Sequence, residues 1–211
     1  MTLRLARRTL LAAFLVAPLG APLAAKSAAA ADPSGPVAAL NAGLLAIMKA
    51  AKTKSFTERA ALLKPVVESA FDLPRILRNS VGPRFGSFDE ATRAKLLDVF
   101  TQFTVASYVA NFDGFSGERF EIVAGTRTVG SDQVVATRLV LPDGDPVKLD
   151  YQVHDENGSW KIVDVLMDGS ISRVAVQRSD FRALLGSGDA TRLIDSLSEK
   201  VTKLTAGNAA G

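Results

Sequence analysis

Residues 145–181 read "DPVKLDYQVHDENGSWKIVDVLMDGSISRVAVQRSDF". Apolar residues alternate on both sides of Asn157-Gly158: Leu149, Tyr151 and Val153 before it, Trp160 and Ile162 after it. A period of two with Asn-Gly at the centre marks a β-hairpin with a two-residue turn. That turn sets Glu156 opposite Ser159, Val153 opposite Ile162, Tyr151 opposite Asp164 and Leu149 opposite Leu166. Asp164 is the anomaly, a carboxylate pointing toward the apolar side between Ile162 and Leu166.

The same arithmetic at Asp143-Gly144 puts Val134, Ala136, Arg138 and Val140 on that apolar face, with Arg138 in reach of Asp164. The face then carries one polar cluster, Arg138, Tyr151 and Asp164. Three readings stand open. The cluster is a buried ion pair that fixes the register, the polar end of an apolar ligand cavity, or a general base whose pKa an apolar pocket raises.

Outward from the hairpin, residues 119–129 and 132–141 repeat the two-residue period, so four antiparallel strands are predicted, at 119–129, 132–141, 145–155 and 159–168. Upstream the period is helical. Residues 35–52 carry Val37, Leu40, Leu44, Ile47 and Met48 on one stripe. A second helix over 57–71 has Thr57 as its expected N-cap and a kink or break at Pro65. Asp72 is placed to cap a third, with Pro74 in its first turn and Gly82-Pro83 ending it. The longest runs from Phe88 to about Asn111 behind an S-x-x-E capping box at Ser87 and Glu90. Its stripe of Leu96, Val99, Phe100, Phe103, Ala106 and Val109 is widened by Leu97, Val105, Tyr108 and Phe112, which implies burial against more than one neighbour. Two more helices are predicted near 172–185 and 189–204, then a flexible tail at 205–211. Helices segregated from an antiparallel sheet make an α+β fold: a curved sheet of four strands or slightly more, packed against about six helices.

Residues 1–31 read as a secretory signal peptide: Arg4, Arg7 and Arg8, an apolar stretch from Thr9 to Leu19, and Ala29-Ala30-Ala31 before a cleavage site that releases Asp32. "ARRTLL" hints at twin-arginine export, and retention of the segment as an anchor is the alternative reading. The chain carries 25 basic and 22 acidic residues. Four of the basic residues, Arg4, Arg7, Arg8 and Lys26, lie in the leader, so 21 against 22 remain in a single domain over 32–204. That balance gives no electrostatic footprint for nucleic acid. The absence of cysteine excludes disulfides, thiol catalysis and zinc–thiolate sites. His154 is the only histidine and falls on the mixed face. There is no G-x-S-x-G elbow, no phosphate-binding glycine loop and no acid cluster at metal spacing. No catalytic residue, metal or cofactor is indicated.

Pro146, Tyr151, Trp160, Lys161, Asp164, Gly169, Ser172, Arg178 and Phe181 stand where the MlaC family of periplasmic lipid-binding proteins has its pattern. That pattern is a Gly-x-Pro strand ending near Tyr, W-K-x-x-D after the turn, D/E-G with a serine beyond, then R-x-x-F. The resemblance extends over roughly 36–204 and includes "FDLPRILRNSVGPRF" and the helix that follows. Val176-Gln177 stands where the family often has Asn-Tyr, and "ISRVAVQRSDFRALL" is similar to the hopanoid-associated HpnM branch. The resemblance implies a monomeric, non-enzymatic carrier in the periplasm, auxiliary to an ABC-type transporter. It would exchange a phospholipid or hopanoid with membrane-bound transport components by transient docking. The expected cavity residues are Phe71, Ile76, Leu77, Phe85, Leu96, Phe100, Phe103 and Tyr108 from helices, with Leu149, Tyr151, Val153, Ile162 and Leu166 from the sheet. A small isomerase-like enzyme using Asp164 as base is the alternative.

Overall fold

The computed structural model describes residues 32–186 and 189–207. The expected leader, 1–31, and residues 208–211 lie outside them. Among the described residues, six α-helices and one five-stranded antiparallel sheet form the α+β architecture that the periodicity predicts. The helices are α1 (Gly35–Lys49), α2 (Phe56–Ala70), α3 (Leu73–Val81), α4 (Glu90–Asn111), α5 (Arg173–Arg182) and α6 (Thr191–Gly207). A short 3-10 turn, Gly82–Ser87, joins α3 to α4. Helix α6 therefore runs three residues into the segment expected as a tail.

Two caps differ from expectation. Ser55, not Thr57, caps α2: its hydroxyl accepts from the Glu58 amide at 3.3 Å while the Glu58 carboxylate accepts from the Ser55 amide at 2.9 Å. Asp89, not Ser87, caps α4, accepting from the Thr92 amide at 2.7 Å. In each case the cap lies next to a buried aromatic residue, Phe56 or Phe88, so tertiary burial selects among neighbouring cap candidates. Pro65 does not break α2: it stands on the solvent side, as does Ala61, whose carbonyl it cannot serve as donor. Asp72 caps α3 as predicted, accepting from the Arg75 amide at 2.9 Å.

The sheet runs in chain order, β1 (Arg119–Val129), β2 (Asp132–Val140), β3 (Val147–Glu156), β4 (Ser159–Met167) and the two-residue β5 (Ile171–Ser172). The β3–β4 turn is the predicted one, with Asn157 at φ 55° and Gly158 at φ 87°. Its register begins as predicted, Glu156 opposite Ser159 and Val153 opposite Ile162, and then shifts by one residue. Val163 is bulged, so Asp164 stands opposite Gln152, Val165 opposite Tyr151 and Met167 opposite Leu149. The expected pairs Tyr151–Asp164 and Leu149–Leu166 do not form.

The β2–β3 register is also one residue from expectation, with Val135 opposite Tyr151 and Arg138 opposite Lys148. Pro142 and Pro146 lack the amide a ladder needs, so the connection spans 141–146 and is not a two-residue turn. Val135 and Leu139 turn inward as a result, and Arg138 is exposed on the other face.

The free edge of β4 is covered at two points. Phe71 makes a parallel bridge to Ile162, whose carbonyl accepts from the Asp72 amide at 2.9 Å, and β5 pairs with Leu166 and Met167. Helix α4 packs closely on α6 and α2, whereas its backbone stands off from the strands. The hydrophobic core fills most of the space between, with Leu40, Leu44, Leu63, Leu77, Leu96, Val153 and Ile162 all fully buried.

Arg59 closes the C-terminal end of α4. It is 4% exposed, and its Nη1 donates to the Val109 and Phe112 carbonyls at 3.4 and 3.3 Å. A cation at this end also meets the negative pole of the helix. Arg59→Ala is expected to lower the unfolding free energy by about 1–3 kcal/mol, because carbonyls at a buried helix end lose their donor. Urea denaturation checks this, and wild-type stability in the variant would remove the role.

Candidate functional site

Between α4 and the sheet lies a cavity of about 350 Å³, within the ~300–1,000 Å³ span of small-molecule sites. One wall is α4, where Phe100, Phe103, Thr104, Ser107, Tyr108 and Asn111 recur at helical spacing. The opposite wall is Leu139, Val147, Leu149 and Tyr151 with Asp164, Val165 and Met167 from beyond the bulge. Phe71, Leu73 and Ile76 close one side, and Arg173, Val174 and Gln177 of α5 another. The lining is mainly apolar. Thr104 donates to the Phe100 carbonyl at 2.8 Å and the Asn111 amide donates to the Ser107 carbonyl at 2.7 Å, so their donors turn back to α4's own backbone.

Of the thirteen residues expected to line a cavity, the structure brings seven together here: Phe71, Ile76, Phe100, Phe103, Tyr108, Leu149 and Tyr151. Leu77, Leu96, Val153 and Ile162 are fully buried in the core and do not line it. Phe85 packs edge-on against Phe88 at 6.3 Å, with the Arg93 guanidinium 6.0 Å from its ring. Leu166 pairs with Asp150, because the bulge moves it off the cavity register. Among the lining residues the sequence reading missed, Thr104, Ser107 and Asn111 simply continue the i, i+3/i+4 line from Phe100. Leu139, Val165 and Met167 depend on the two register shifts, which nothing in their own identities announces.

Of the expected cluster, Tyr151 and Asp164 both line the cavity, whereas Arg138 is exposed on the other face of the sheet and forms no ion pair with Asp164. Asp164 Oδ1 accepts from the Val165 amide at 2.7 Å and the Val174 amide at 3.0 Å, and Oδ2 accepts from the Ser172 hydroxyl at 2.5 Å. Ser172 in turn caps α5 through the Ala175 amide at 3.0 Å. Asp164 therefore fastens the first turn of α5 to β4, and its charge suits the positive end of that helix. His154 lies away from the cavity, paired with the buried Asp132 (Nδ1 to Oδ1, 2.6 Å), which also accepts from Gln152 at 2.6 Å. Burial alone would raise the Asp132 carboxyl, but the hydrogen bonds from His154 and Gln152 outweigh it and hold it below the usual range.

The aromatic wall is continuous. Phe71 meets Tyr108 at 5.9 Å, Tyr108 stacks on Phe112 at 6.1 Å, and Phe112 meets Phe120 at 5.9 Å. Burial raises the Tyr151 phenol, and burial with the nearby Tyr151 raises Tyr108, while the Arg173 cation pulls Tyr108 the other way. Both phenols stay neutral donors well beyond physiological pH. Among the described residues no group of three or more His, Cys, Asp or Glu could hold a metal ion.

The pattern of a family described as MlaC protein matches residues 39–199. Among solved structures, the chain is similar to a phospholipid-binding protein from Ralstonia solanacearum, determined in complex with a phospholipid. The TM-score is 0.71 at 19% identity, covering 82% of this chain and 99% of that one. At that identity the likeness bears on the fold. No curated protein matches the chain.

Asp164→Ala is expected to cost about 1–3 kcal/mol, since two amides and a hydroxyl lose their acceptor. Arg138→Ala should stay within about 0.5 kcal/mol of wild type, as an exposed residue free of such contacts. Equal losses in the two variants, read by denaturant unfolding, would restore the ion pair. Tyr108 and Tyr151 are the only tyrosines. The folded chain holds phenolic protons that the unfolded chain releases near the usual value of 10.0. These two groups therefore leave stability unchanged below about pH 10 and lower it as pH rises beyond. Absorbance at alkaline pH should show tyrosinate only together with unfolding. A tyrosinate signal near pH 10 in folded protein would contradict their burial.

Proposed function

The chain belongs to the MlaC family, and on that premise we propose that it is a non-enzymatic carrier that holds the acyl part of a phospholipid between α4 and the sheet. The observation that carries this reading is the cavity itself: a partly open space walled mainly by Phe, Leu, Ile, Val and Met side chains, where Tyr108, Tyr151, Asp164 and Arg173 are among the polar groups. Burying an acyl chain gains ~0.8 kcal/mol per methylene. The cavity thereby offsets the cost of exposing the chain to water between membranes, and the near balance with a bilayer interior makes loading and release reversible. Arg173 and the neutral phenols give a phosphate or ester oxygen its donors at one side of an otherwise apolar space. The phospholipid bound by the Ralstonia solanacearum protein of the same fold supports this cargo.

Residues 1–31 act, in this reading, as the export leader that delivers a domain over 32–204 to the periplasm. There the carrier works as a monomer and exchanges its lipid with membrane-bound transport components. Against the isomerase alternative, both oxygens of Asp164, which lines the cavity, already accept hydrogen bonds from Val165, Ser172 and Val174.

The test is to purify the protein from its native host without detergent, extract it with organic solvent and identify the extract by mass spectrometry. Stoichiometric phospholipid is expected. Stoichiometric hopanoid would replace the cargo, and an empty protein that takes no lipid from vesicles would overturn the reading. Leu149→Arg, which puts a charge on the half-buried cavity wall, should abolish lipid uptake while the far-ultraviolet circular dichroism stays unchanged.

A further inference from the structure

Helix α5 borders a second recess, which shares no lining residue with the lipid cavity. It measures about 230 Å³ and is lined by Val81, Gly82, Pro83, Leu185 and three arginines, Arg84, Arg178 and Arg182. No carboxylate lines it, and among the described residues none of these arginines takes part in an ion pair. All three are exposed to solvent, where like charges brought together still repel one another, though screened by salt. Such an arrangement is favoured when an anion joins it.

The arginines are also aimed. Arg178 Nε donates to the Asn79 carbonyl at 2.8 Å, and Arg84 Nη1 donates to the Leu185 carbonyl. Each bond fixes a guanidinium plane and leaves most of its five N–H donors unused. Arg182 lies one helical turn after Arg178 on α5 and is exposed. Gly82 adopts φ 75°, and a Cβ there would stand 4.0 Å from Arg178 Nε, at the side of the recess. Bonds to the Asn79 carbonyl near the end of α3 and to the Leu185 carbonyl beyond α5 account for Arg178 and Arg84, but they give Arg182 no task.

We propose that this recess binds a phosphate-type oxyanion, held by the guanidinium groups of Arg84, Arg178 and Arg182. Planar guanidinium groups match tetrahedral oxyanions through paired N–H donors. The oxyanion is either free phosphate or the phosphate of a lipid headgroup outside the cavity. The inference stands apart from the cargo reading, since the residues involved differ.

The experiment is a two-dimensional amide NMR titration of the full mature chain at constant ionic strength, first with inorganic phosphate and then with soluble short-chain phosphatidic acid. Saturable shifts centred on Gly82, Arg84 and Arg178 with phosphate alone would establish the site and make free phosphate its ligand. Shifts there only with phosphatidic acid would establish it as a headgroup site. Arg182→Gln removes no hydrogen bond within the protein and is expected to weaken binding about tenfold, the loss of roughly one charge-assisted contact. Arg84→Gln should do the same if its thermal unfolding matches wild type. Absence of shifts with either probe, or equal affinity in wild type and Arg182→Gln, would overturn the proposal. Lipid recovered from the cavity should be the same in wild type and Arg182→Gln, which separates this result from failure of the carrier reading.

Discussion

One extra residue in β4 determines which side chains the sheet offers to the cavity. Ile162 pairs with Val153 in the register that the Asn157-Gly158 turn imposes, and Val163 is then left without a partner. Without that bulge, Leu166 would face inward and Val165 and Met167 would face away. With it, Ile162 remains in the core while Val165 and Met167 join the cavity wall opposite Tyr151 and Leu149. A bulge also sharpens strand twist, which lets the sheet bend around a space instead of lying flat against α4.

The bulge would serve little purpose if the outer edge of β4 were free to move. Phe71 and Asp72 hold it near Ile162, and β5 with the Asp164 contacts holds it farther along. These two attachments bring α3 and α5 to either side of the cavity, while α4 is fixed from behind by α2, α6 and Arg59. The cavity persists because each of its walls is supported from outside. Its lining need not close on itself.

The fold was largely legible in the sequence, the site only in part. Asn157-Gly158 could be read because both residues take the positive φ that such a turn demands. The helical stripes could be read because burial repeats at their period. Val163 looks like any other strand residue, and a bulge is decided by how two strands meet. The slip at 141–146 had a readable cause in Pro142 and Pro146, which the Asp143-Gly144 pair obscured. Asp164 was rightly singled out as a carboxylate needing partners, but those partners are the Ser172 hydroxyl and the Val165 and Val174 amides, and the amides carry no side-chain signature. Phe100, Phe103 and Tyr108 of α4 and Leu149 and Tyr151 of β3 meet at the cavity because the inward faces of those two elements follow from their own periods, whatever their strand partners.

The inward turning of Thr104 and Asn111 toward α4's own carbonyls leaves a wall with few directional demands on its contents. Such a wall is permissive under mutation. Exchanging one aliphatic side chain for another along it alters the depth and breadth of the space without breaking a bond that the fold requires. Lineages sharing this scaffold are therefore free to drift in the shape of the molecule they accept, while the residues that fasten β4 and α5 stay under constraint.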